Sequence, residues 1–173
     1  MMKDFNSLFV KLTICSVLMV LTLGGCSRNE DQDEYEREAF RSPSGFTETE
    51  FSGKILSEDP DDWRISPMFQ GFVEVNIPAH PNPTHGQNIR IELLITGIES
   101  VNGLEILSLD DRNQFRQLYF EGSGTLESGF VNVSFDPILF STTGVYSDAI
   151  GLQRVFIYDR NNNMITYGDV MVQ

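Results

Sequence analysis

The sequence predicts an all-β protein, an antiparallel β-sandwich over residues 51–173, and three observations carry that expectation. Short runs alternate apolar and polar residues with a period of two, clusters of Asp, Asn, Gly and Pro separate them, and no long amphipathic helical pattern intervenes. The alternation is plainest in Ile89, Ile91, Leu93 and Ile95, with Arg90 and Glu92 between them. It returns in Val131, Val133 and Phe135, with Asn132 and Ser134 between them. Successive side chains on a strand point to opposite faces, so each run buries one face and wets the other.

Taken in order, strands are expected at 53–57, 72–77, 88–96, 104–109, 114–120, 129–135, 152–158 and 164–172, enough for a sandwich. Asp110-Asp111-Arg112-Asn113 and Asp159-Arg160-Asn161-Asn162-Asn163 each read as a hairpin turn, because their side chains bond their own backbone and tolerate positive φ. Pro78, Pro81 and Pro83 lack N–H donors and keep the segment before Asn88 out of any central strand. One helical turn is expected at 136–140, with Asp136 as cap and Pro137 at the first helical position.

The chain has 173 residues with 12 Lys+Arg against 25 Asp+Glu, a formal charge of −13. A binder of nucleic acid must neutralise phosphates, so that partner class is excluded. A hydrophobic fraction of 40% with 13 Phe is enough for one core and too much for a wholly disordered chain.

Residues 1–25 have the parts of an export signal: Lys3 and Lys11, an apolar run from Leu12 to Leu23, then Gly24 and Gly25. The run is short of the roughly 20 apolar residues that a spanning helix needs. Leu23-Gly24-Gly25-Cys26 resembles the lipobox of bacterial lipoproteins. That resemblance implies cleavage before Cys26, a diacylglycerol on its sulfur and usually acylation of the new amine. Membrane lipid is thus the first expected partner. Each buried methylene contributes about 0.8 kcal/mol, so two or three chains anchor durably where one does not. Ser27 stands in place of the Asp that favours inner-membrane retention, so the resemblance implies the outer membrane. Cys15 would leave with the signal, which makes Cys26 the single lipidation site and leaves no thiol for catalysis, zinc or iron–sulfur ligation.

Residues 26–50 carry Glu30, Asp31, Asp33, Glu34, Glu36, Glu38, Glu48 and Glu50 against Arg28, Arg37 and Arg41. So polar a stretch reads as a disordered, lipidated acidic tether, with at most a transient helical turn at 34–40. Acids soon after the lipidated Cys also resemble the surface-export signal of Bacteroidetes lipoproteins, which leaves the periplasmic face and the cell surface both open.

Pro81-Asn82-Pro83-Thr84 with Gly86, followed by Ile89-Arg90-Ile91-Glu92-Leu93, resembles the opening of the Ig-like tails of type IX secretion cargo and of the related flagellar hook-capping domain. Residues 104–113 are similar to the family's next block, and Gly151-Leu152-Gln153-Arg154-Val155-Phe156 to its terminal one, although Asn113 and Gln153 replace the usual Gly and Tyr. The resemblance covers about 78–173 and implies an Ig-like sandwich with a link to secretion or surface assembly.

His80 and His85 flank Pro81-Asn82-Pro83-Thr84 as two candidate metal ligands, one fewer than a catalytic zinc needs. Asp159, Asn161 and Asn163 mimic a calcium loop, but Met164 and Val170 occupy the places of its Gly and bidentate Glu. Weak calcium binding at Asp110, Asp111 or Asp159 stays open. Gly122-Ser123-Gly124 lacks the rest of a dinucleotide fingerprint and reads as a flexible loop, and Ser123 and Ser128 sit in no nucleophile elbow. Asp61 and Asp62 are neighbours whose side chains point apart, unlike a glycosidase pair. Trp63 with Phe69, Phe72, Tyr119 and Phe120 would form either core or a sugar platform. The stretch 59–67 is distinctive but suggests no mechanism.

No cofactor is expected. The reading that leads is a non-enzymatic envelope lipoprotein that binds or scaffolds a protein partner, with 164–172 as the sheet edge that would accept an incoming strand. The alternatives are a carbohydrate-binding lipoprotein and a lipid-tethered hydrolase that uses carboxylates.

Overall fold

The computed structural model describes residues 27–110 and 112–173. The export-like segment, Cys26 and Asp111 lie outside the described residues.

The chain forms the expected all-β sandwich from two antiparallel sheets. A helix, α1 (Ser27–Ala39), precedes a short pair, β1 (Glu48–Thr49) and β2 (Ile55–Ser57). Then come β3 (Val73–His80), β4 (Ile89–Ile95), β5 (Asn102–Leu109), β6 (Phe115–Thr125), β7 (Gly129–Phe135), β8 (Gly151–Tyr158) and β9 (Met164–Val172). One sheet has the order β3-β4-β7 and the other β6-β5-β8-β9.

The alternation in the sequence is what lays down the core. Ile89, Ile91, Leu93 and Ile95 of β4 and Val133 and Phe135 of β7 meet Leu104, Ile106, Val155, Ile157, Val170 and Val172 of the facing sheet. Both Asp-rich turns close hairpins. Asp110 Oδ1 accepts from the N–H groups of Arg112 and Gln114, Asp159 Oδ1 accepts from those of Asn161 and Asn163, and Asn113 and Asn162 take positive φ. Asp136 caps a 3-10 turn (Pro137–Phe140) by accepting from the Ile138 N–H. β3 runs on through Pro78 to His80, which an edge strand tolerates because its outer N–H positions need no partner, and its register with β4 slips there.

Residues 27–50 do not form a solvated tether. Residues 27–39 form α1, and 48–49 form β1. Gln32, Tyr35 and Ala39 are spaced to fall on one helical face, and all are buried. They cover Phe156, Met164 and Tyr167 on the outer face of the four-stranded sheet, beside Leu107, Leu109 and Tyr158. That face is apolar, so it needs a cover. A run of acids around a single aromatic residue hides this in the sequence. Among the described residues no helix is long and apolar enough to cross a membrane.

Candidate functional site

The stretch 59–67 and the Pro81-Asn82-Pro83-Thr84 motif meet along the outer edge of β9. Trp63 N–H donates to Tyr167 O (2.8 Å) and Ser66 N–H to Ile165 O (2.9 Å). Asp62 Oδ1 accepts from Asp169 N–H (3.0 Å), and Asn82 Oδ1 accepts from Met171 N–H (2.9 Å). Asn82 Nδ2 donates to Asp169 O (3.0 Å) and Thr47 O (2.8 Å), while Thr84 N–H donates to Met171 O and Gln173 N–H to Thr84 O at the C-terminus. Along β9, then, the backbone groups that an incoming strand would use already have partners in the same chain. The expectation of strand addition at 164–172 is overturned, because the proline-rich motif and the 59–67 stretch seal that edge.

Trp63 holds left-handed backbone (φ 58°), an uncommon conformation for a residue with a Cβ. Its ring lies over Gly168, where a side chain on β9 would overlap the indole. Trp63 and Phe69 are therefore core, and a sugar platform built on them is excluded; Phe72 and Phe120 are the exposed members of that set. Phe120 lies under the Arg160 guanidinium, 5.7 Å from ring centroid to carbon.

Behind this edge lies a charged network. Arg154 pairs with Asp169 through Nε–Oδ1 and Nη2–Oδ2 bonds of 2.7 Å each, and its Nη1 donates to Ala39 O (3.0 Å) and Arg41 O (2.7 Å). A guanidinium is well suited to this, since the last carbonyls of a helix lack partners and carry the negative end of its dipole. Arg64 pairs with Glu38 (2.8 Å), donates to Tyr167 Oη (2.9 Å), and offers its carbonyl to the hydroxyls of Tyr35 (2.6 Å) and Thr166 (2.8 Å). The guanidinium of Arg64 holds Glu38 below the ordinary carboxylate range. Burial raises Asp62 to about 7 despite the N–H donors of Thr47 and Asp169, with Asp169 and Asp59 adding repulsion. Burial likewise raises Asp169, against the pull of Arg154. A polar cleft of about 150 Å³ between α1 and this network is lined by Glu38, Arg41, Ser44, Asp61, Arg64 and Tyr167, among others. Asp62 and Asp169 do not line it.

The remaining sequence candidates are dispersed. His80 is buried with Nδ1 2.9 Å from Pro78 O, whereas His85 is exposed, so the two belong to different environments. Among the described residues no cluster of three His, Cys, Asp or Glu side chains is arranged to hold a metal ion. Asp159 is buried, and its second carboxylate oxygen accepts from Asn163 Nδ2 (3.0 Å), so the turn itself uses both oxygens. Asp61 is exposed while Asp62 turns inward to Thr47 and Asp169. The backbone of Gly122-Ser123-Gly124 lies within β6, not in a loop. Ser128 Oγ donates to Gly97 O (3.4 Å).

The open edge is at the other end of the four-stranded sheet. Among the described residues β6 pairs only with β5. At its start Phe115 packs edge-on against Phe156 (5.8 Å), Tyr158 (6.2 Å) and Phe40 (6.0 Å), and Phe40 stacks on Phe156 (5.2 Å). Phe40 and Phe115 are both about half exposed (49% and 50%). An unpaired strand edge beside solvent-facing aromatic rings combines the backbone donors and the apolar anchors that protein interfaces use. The sequence reading missed this pair, because Phe40 lies in the supposed tether and only the fold brings it to Phe115.

No protein-family model matches the chain, and no curated protein matches it.

Proposed function

We propose that this chain is a non-enzymatic, lipid-anchored cell-envelope protein that binds a protein partner, with the partner's strand adding to β6 and its apolar side chains packing on Phe40 and Phe115. The observation that carries the binding reading is that open edge with its half-exposed aromatic pair. The anchor rests on the Leu23-Gly24-Gly25-Cys26 motif behind its apolar run, and the outer membrane on Ser27. A role in secretion or surface assembly rests on the resemblance over 78–173. The carboxylates raised by burial, Asp62 and Asp169, accept bonds from the chain's own N–H groups and Arg154, which favours binding over carboxylate chemistry.

The test places a photo-crosslinking residue at exposed Gln117 of β6 or at exposed Asn132 of β7, in cells that express the full chain. A single adduct at Gln117, absent at Asn132 and lost with Phe115→Ser, is expected. Identical adducts at both positions, or none, would overturn the β6 reading. Membrane fractionation of Cys26→Ala beside the parent, with the acyl mass of the mature protein, tests the anchor separately.

A further inference from the structure

We infer that one pole of the sandwich, carrying Met68, Phe72 and Ile98, rests in the interface of a zwitterionic lipid bilayer. This deepens the lipid-anchor reading and depends on it for the position of the anchor. The direction of α1 sets which pole this is. Its C-terminal carbonyls lie at Arg154, which pairs with Asp169. Tyr35 lies against Tyr167, with ring centroids 5.2 Å apart. Gln32 Oε1 accepts from Met68 N–H (3.2 Å). The helix therefore runs alongside β9 in the same direction, and its first residues point to the pole where β9 begins. Ser27 lies about 7.5 Å beyond Gln32 along the axis, at 1.5 Å per residue. Cys26 is the next residue, about 3.8 Å from it between Cα atoms. A lipid on Cys26 thus enters the membrane at this pole, with a packed helix in place of a slack tether.

The same pole gathers the 68–72 segment and the β4–β5, β6–β7 and β8–β9 connections. Thr96 and Gly97 N–H groups bond Phe72 O, Leu126 N–H bonds Val101 O, and Arg160 N–H bonds Asn102 O. Ile98 at the tip of the β4–β5 connection is 88% exposed, the most exposed large apolar side chain of the described residues, with Met68 and Phe72 at 41% and 43%. Exposure alone does not choose a pole, since Val145 and Ile150 protrude at the opposite one (55% and 54%). The start of α1 makes the choice. Glu30, Glu99 and Glu127 stand at or near the first pole and would be repelled by anionic headgroups, which selects a zwitterionic surface.

The experiment uses the chain beginning at Cys26, its only cysteine, coupled through that thiol to a maleimide phospholipid in phosphatidylcholine vesicles with brominated acyl chains. The buried indole of Trp63 gives the baseline emission. Ile98→Trp is expected to add emission that is blue-shifted and quenched several-fold more than that of Val145→Trp. Equal quenching at the two positions, or stronger quenching at 145, would overturn the inference. Acyl mass on the protein from cells decides the anchor independently. An acylated protein with an unquenched Ile98→Trp would retain the anchor and discard the pole; a non-acylated protein with a quenched one would discard the natural anchor and keep the affinity of the pole for lipid.

Discussion

Arg154 grips Asp169 through two parallel hydrogen bonds of 2.7 Å, and its remaining nitrogen reaches the last carbonyls of α1. Asp169 is buried and Arg154 partly so, with side-chain exposures of 2% and 12%, so the carboxylate has no water to take the place of its partner. One guanidinium thereby ties strand β8 to β9 and both to the helix that covers them.

Replacing Arg154 with Met would leave the Asp169 carboxyl buried without its cationic partner, a change that costs about 3–5 kcal/mol in comparable sites. Urea unfolding of R154M is expected to show that loss, with a fall in far-ultraviolet helical signal as α1 detaches. Arg154→Lys keeps the charge but not the two-pronged geometry, and should fall between. Parental stability in R154M would show that the latch does not hold α1.

The raised carboxyls give stability an unusual slope with pH. Asp62 titrates near 7 in the fold and near 3.8 unfolded, so between those values the folded chain binds the extra proton. Stability then falls as pH rises from about 4 to 7 and levels off above. Asp169, raised in the same direction, adds to the slope. Thermal unfolding at pH 5 and pH 7.5 is expected to give the higher midpoint at pH 5, and Asp62→Asn should flatten the difference. A midpoint that climbs with pH across this range would contradict the assignment.

Gly168→Ala tests the closeness of Trp63 to β9. The added methyl would overlap the indole, which neighbouring core holds in place. Overpacking of this kind typically costs about 1–3 kcal/mol. Trp63 is the only tryptophan, so its fluorescence reports the displacement directly. An unchanged emission maximum and denaturation midpoint would show that the contact is looser than the structure places it.

Asn82→Ala removes a fully buried amide that satisfies Thr47 O, Asp169 O and Met171 N–H at once. Each orphaned buried group costs about 1–3 kcal/mol unless water reaches it. Hydrogen exchange at Met171 should accelerate more than at Ile157 in the central strand β8. Equal protection at both amides would place the strength of the β9 edge elsewhere.

The strands and turns were legible because their causes are local. Ile89, Ile91, Leu93 and Ile95, at every second position, declare a half-buried strand, and Asp110 and Asp159 bond backbone groups two and four residues ahead. The network around Asn82 was not legible. Its partners are Thr47, 35 residues back, and Asp169, 87 residues on, and no pattern in a short window marks such a pairing. In the sequence the stretch 59–67 is distinctive but suggests no mechanism; set against β9 it is the strip that closes an edge.

The sequence by itself determined the sandwich, its hairpins and the single lipidation candidate, since periodicity, turn chemistry and a short motif each act over a few residues. Tertiary structure alone decided that α1 is a docked helix, that the edge of β9 is closed while that of β6 is open, and that Phe40 meets Phe115. The physical reason is that a helix as acidic as α1 is not sustained by its own composition. It takes its place because Tyr35 and Ala39 cover an apolar sheet face whose buried residues, Phe156, Met164 and Tyr167, lie more than a hundred residues away, closed at its end by Arg154.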